Sequence, residues 1–118
     1  MTEKQFRFQD FEIWTRGADI GSKLFRLADD LEKRHLFRFA EQLRGAALSI
    51  TNNIAEGSGS ISDTDFANFL NMSRRSVFEV ANILMLLSKD GYLKKKKFSR
   101  YCRNSKKKAG CSWRSAVR

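Results

Sequence analysis

The chain has 118 residues, with 23 Lys and Arg, 13 Asp and Glu, one His, two Cys, no Pro and a formal net charge of +10. That length supports a single domain burying roughly 65% of its unfolded surface, and it excludes a multidomain enzyme. No window approaches the ~20 continuous apolar residues of a spanning helix, and the N-terminal MTEKQFRFQDFEIW is no secretory signal, so a soluble cytoplasmic protein is expected.

The lack of proline and the scarcity of β-branched runs favour helices, and the hydrophobic spacing predicts three. The first spans about residues 10–32, with one stripe at Ile13, Gly17, Ile20, Leu24, Leu27 and Leu31. A second stripe (Trp14, Ala18, Gly21, Phe25, Ala28) widens that face enough for two neighbours. Asp10 is the expected N-cap. The second helix, about 36–56, repeats the period at Leu36, Ala40, Leu43, Ala47, Ile50 and Ile54, and Gly57 and Gly59 are expected to stop it. Ser62 with Asp65 three residues on reads as an acidic capping box for the third helix, about 62–90. That helix carries Phe66, Leu70, Ser73, Val77, Val80, Leu84 and Leu87, with Lys89 at its negative end and Gly91 beyond it. Gly17, Gly21, Gly45, Ala46 and Ala47 are expected to admit close helix neighbours, because interior glycine costs about 1 kcal/mol against alanine.

Short connections imply up-down packing, and three broad apolar faces call for a fourth helix. Residues 1–93 form the expected domain and are close to neutral, with 12 basic and all 13 acidic residues. Residues 94–118 hold the other 11 basic residues, both cysteines and Trp113, and no apolar period. The +10 charge therefore belongs to a tail standing where a fourth helix is expected. Without that helix, the Leu, Phe and Val stripes are expected to be exposed and solubility to suffer.

The strings FQDFEIWTRG, EQLRGAALSITNNIAEGSG, DFANFLNMSRRSVFEVANILML and KDGYL resemble, over residues 8–93, a bacterial four-helix bundle family. That family is also called the 23S rRNA intervening-sequence or S23 ribosomal proteins, and it includes the accessory variability determinant of diversity-generating retroelements. Its most specific motif covers Gln42 to Gly57, with Thr51 where many members have Pro. The resemblance implies an all-α, up-down four-helix bundle, a homopentamer, a basic surface for nucleic acid in some members, and no enzymatic activity. Members continue after GYL into a fourth helix rich in Glu and Leu, and this chain does not. The Lys94–Lys97 run implies adenine-rich codons prone to slippage, so a frameshift is expected to have replaced that helix.

Chemistry-bearing constellations are scarce. Cys102 and Cys111 lie nine residues apart with no second pair and with His35 remote, so neither a metal site nor a disulfide is expected. No cofactor or small-molecule substrate is indicated, and no nucleophile elbow or phosphate loop follows a strand. Asn52, Asn53 and Glu56 form the main polar cluster, read as a structural network fixing helix register or a subunit contact. Lys23, Arg26, Arg38, Arg44, Arg74 and Arg75 are the candidate contacts to RNA or DNA, diluted by Asp29, Asp30 and Glu41. The expected function is a non-catalytic oligomeric scaffold. The alternative is a nucleic-acid-binding accessory protein acting with rRNA or a reverse transcriptase.

Overall fold

The computed structural model describes residues 3, 5–94 and 96–97. Among them the fold is all-α: a short 3-10 helix (Arg7–Asp10), then α1 (Glu12–Lys33), α2 (Phe37–Ser58) and α3 (Asp63–Lys89). The expected fourth helix falls in the basic tail, largely outside the described residues.

Each boundary has a local cause. Asp10 does not cap α1: residues 7–10 are drawn into the 3-10 helix, and Phe11, with φ −74° and ψ 127°, is the N-cap without a side-chain bond. The Gln9 side chain organises that turn by accepting from the Gln5 and Phe6 backbone N–H groups at 2.8 and 2.9 Å. Ser62 caps α3 as expected, its Oγ accepting from the Asp65 N–H at 3.1 Å. Gly91, at φ +82°, follows the Asp90 C-cap of α3. Tyr92 N–H donates to Leu87 O and Gly91 N–H to Ser88 O, the paired bonds of a Schellman motif.

The end of α1 uses the same device without glycine. Leu36 N–H donates to Leu31 O and His35 N–H to Glu32 O, both at 2.9 Å, and His35 takes the left-handed position at φ +63°. At the end of α2, Gly57 still lies within the helix and the Gly59 C-cap has φ −87°, so neither glycine supplies a left-handed residue. Gly57 serves packing instead: a Cβ there would lie 2.5 Å from Phe69 Cβ.

The predicted stripes form the core. Leu24, Leu27, Leu31, Leu43, Ile50, Ile54, Leu70, Val80, Leu84 and Leu87 are buried in one cluster, with Ile13, Trp14, Ile20, Phe66 and Val77 packed against it. The stripes expected to be exposed are thus largely covered. α2 is the central element: α1 and α3 each pack on it, while their own backbones do not approach one another. Neighbours run antiparallel, since Gly17 of α1 faces Ile50 and Thr51 of α2, and Ser73 of α3 bonds Ile50 O. Gly17 allows a close approach, because a Cβ there would lie 3.2 Å from Thr51 Cγ2 and 3.3 Å from Ile50 Cγ2. Gly45 does not. It is exposed, with nothing within 4 Å of its would-be Cβ, and the would-be Cβ of Gly21 lies 4.0 Å from Phe25 of its own helix.

Candidate functional site

Two features stand apart from the packed core: a polar seam between α2 and α3, and an outer surface that combines arginine with exposed apolar side chains.

The seam is built from serines that fit the small-residue contact between two helices. Ser73 is fully buried, and its hydroxyl donates to Ile50 O at 2.6 Å across the helix boundary. Ser49 Oγ accepts from Asn53 Nδ2 at 3.0 Å and lies 2.9 Å from Ser76 Oγ. Ser76 Oγ is also 3.2 Å from Met72 O, so its single proton serves one acceptor at a time. Asn53 further donates to Ser49 O at 2.8 Å. Of the sequence-predicted cluster, Asn53 is the half-buried member of this seam, whereas Asn52 and Glu56 are exposed. The three serines carry no functional signature in the sequence. Ser73 falls on the hydrophobic stripe of α3, which is the one sign that its hydroxyl is buried and needs a partner.

The six candidate basic residues divide among three helices. Lys23 and Arg26 lie on α1, Arg38 and Arg44 on α2, Arg74 and Arg75 on α3, and all but Arg44 are exposed. Arg44 bridges back to α1, with Nη2 2.7 Å from Asp29 Oδ1 and Nη1 3.2 Å from Glu32 Oε1. Those bonds, to Asp29 first and Glu32 second, hold its guanidinium above its ordinary pKa. Nothing in the spacing of the sequence signals these two partners. The Arg74 guanidinium lies 5.8 Å from the centroid of the Phe78 ring on its own helix.

Phe78 belongs to the apolar part of this surface. It is 63% exposed, Met85 53%, Leu86 44% and Met72 40% on α3, and Leu48 is 50% exposed on α2. Phe78 and Met85, seven residues apart, lie one above the other on one helix face. The periodicity of the core stripe assigns these residues to the outward side but says nothing of what they meet there.

Among the described residues, no group of three or more His, Cys, Asp or Glu side chains converges. The single histidine is exposed at the turn after α1, and Cys102 and Cys111 lie outside the described residues. No described helix is long and apolar enough to cross a membrane.

These residues define an all-α protein with a buried side-chain hydrogen bond joining α2 to α3. The chain belongs to the 23S rRNA-intervening sequence protein family, whose model matches residues 9–109. The match begins within the first quoted string and continues past residue 93 into the basic tail. The expected frameshift lies in the Lys94–Lys97 run, and the residues that it would have replaced fall largely outside the described ones. No curated protein and no solved structure matches the chain.

Proposed function

We propose that the protein is a non-catalytic scaffold subunit, built on the up-down four-helix plan, that acts in the cytoplasm by assembling with copies of itself. The pentamer implied by the family resemblance is the expected stoichiometry. The observation that carries this reading is the outward apolar strip of α3. Single exposed apolar residues are ordinary, but Phe78, Met85 and Leu86 are three on one helix within nine positions, and contiguous apolar surface marks interaction sites. Sedimentation velocity tests it. The full chain is expected to sediment as a discrete oligomer, and a Phe78→Glu, Met85→Glu variant to sediment as a monomer with unchanged helicity. A monomeric wild-type chain defeats the proposal.

A second reading, nucleic-acid binding, draws support from Arg74 and Arg75, both exposed, the first with its guanidinium 5.8 Å from the centroid of the exposed Phe78 ring. Guanidinium groups next to an aromatic face suit phosphate contact with base stacking. Binding of single-stranded RNA and duplex DNA, measured across a salt series, tests it. Arg74→Ala and Arg75→Ala are each expected to lower the salt slope by about 1. Arg44→Ala should leave the slope unchanged, since its charge is already engaged by Asp29 and Glu32. If deleting residues 94–118 removes all binding, the helical body has no part in it.

A further inference from the structure

α1 and α3 run parallel to each other, each packed along one side of α2, and their backbones do not approach. Their side chains share one core, so the separation of the two helices depends on how each sits on α2, and a small shear of either would widen or narrow the gap between them. Polar and aromatic bridges cross that gap at both ends of the molecule.

At one end, Arg7 precedes α1. Its Nε and Nη2 donate to Ser58 O, at the last residue of α2, at 3.1 and 2.8 Å. The same guanidinium lies 5.4 Å from the Phe66 ring in the first turn of α3 and 5.6 Å from the Phe11 ring. Those two rings stack on each other with centroids 5.9 Å apart. One arginine thus joins the entry to α1, the end of α2 and the start of α3. At the other end, Arg34, the C-cap of α1, donates from Nη2 to Tyr92 O just beyond α3 at 3.0 Å. An ion pair with Asp30, also at 3.0 Å, orients the side chain from within α1.

We infer that Arg7 and Arg34 are end clasps that fix the separation of α1 and α3, a conformational device lying outside the core stripes. The donors suit the task. A fork of N–H groups on a planar guanidinium holds direction as well as distance, and its face stacks on aromatic rings, which a lysine ammonium does not reproduce. Both acceptors are carbonyls at or just past helix C-termini, where such groups lack intrahelical partners. The gap between α1 and α3 is thereby set by residues of the three-helix body, whatever packs across it.

The test is a distance measurement in the full chain. Spin labels go on the exposed positions Lys23 of α1 and Arg75 of α3, with Cys102 and Cys111 changed to Ser. The chain with both clasps should give one narrow distance distribution, and the Arg7→Ala, Arg34→Ala variant a broader one shifted to longer distance at unchanged helicity. Each single variant should broaden it less, and these decide the matter if the double variant fails to fold. Arg7→Lys should behave like Arg7→Ala. Distributions that stay as narrow and as short as that of the parent overturn the inference even if the melting temperature falls, because they reduce the arginines to ordinary stabilising contacts.

Discussion

At the residue scale, three positions show how backbone conformation and local space decide the sign of a substitution. His35 occupies the left-handed region at φ +63°, where Gly91 sits at the end of α3. A side chain there costs on the order of 1 kcal/mol, so His35→Gly is expected to raise stability by about that amount, read as a higher urea midpoint at unchanged slope. Gly57 gives the opposite result. Its would-be Cβ lies 2.5 Å from Phe69 Cβ and 3.0 Å from Phe66 Cδ1, and Gly57→Ala is expected to lose roughly 1–3 kcal/mol through overpacking, despite better helix propensity. Gly45 has open space around it, so Gly45→Ala should gain about 0.5–1 kcal/mol from propensity alone. Thermal melts of these two alanine variants would separate tight approach from mere helix interior, and equal shifts would contradict the packing. The apolar period itself separates the two glycines, since Gly57 continues the inward stripe three residues after Ile54 and Gly45 lies off it, two residues after Leu43.

At the element scale, the α2–α3 seam is where side-chain hydrogen bonds join two helices. Ser73 places a buried hydroxyl on Ile50 O, and Ser73→Ala is expected to lower stability by about 1 kcal/mol. Ser49 and Ser76 are coupled differently. When Ser49 is removed, the Ser76 proton still has Met72 O within 3.2 Å, so Ser49→Ala and Ser76→Ala together should cost less than the sum of the singles. A double-mutant cycle with a coupling of at least about 0.5 kcal/mol is the expected result, and strict additivity would mean that the two hydroxyls do not share a bond. Helix boundaries were legible from the sequence to within a residue or two, through Ser62, Gly91 and the apolar period. The N-cap of α1 was not. The Gln9 side chain reaches back to two backbone donors and builds a turn where Asp10 alone suggests a cap.

At the scale of the whole molecule, the contrast within α3 is between a face that stabilises the fold and one that is left over. Leu84 is buried in the core while Phe78, on the same helix, is largely exposed. Leu84→Ala is expected to cost 2–5 kcal/mol at any protein concentration, as cavities in a packed core do. Phe78→Ala should cost little in the isolated subunit. In an assembled protein it should lower the melting temperature in a concentration-dependent way, because a partner that binds only the folded form adds to stability by mass action. Melts across a hundredfold range of concentration would distinguish the two faces. The expectation that the apolar stripes lie bare was too broad: the inward stripes are largely covered, and the large apolar residues left exposed include Phe25 of α1, Phe37 and Leu48 of α2, four residues of α3, and Ile61 between α2 and α3.

The sequence by itself determined the all-α class, the three helices, the inward face of each and the family, because periodicity, caps and a long local motif are properties of contiguous residues. It also separated a near-neutral body from a +11 tail, which keeps the formal charge from standing as a property of the fold. Tertiary structure alone decided the rest. It set Arg44 against Asp29 and Glu32, joined Ser73 to Ile50 across two helices, put Arg7 at the meeting of three elements and left the outward-facing Phe78 and Met85 exposed. These contacts link residues 12 to 59 positions apart or depend on what is absent from a surface. A local pattern in the chain carries no record of either, since both follow from how α1 and α3 are seated on α2.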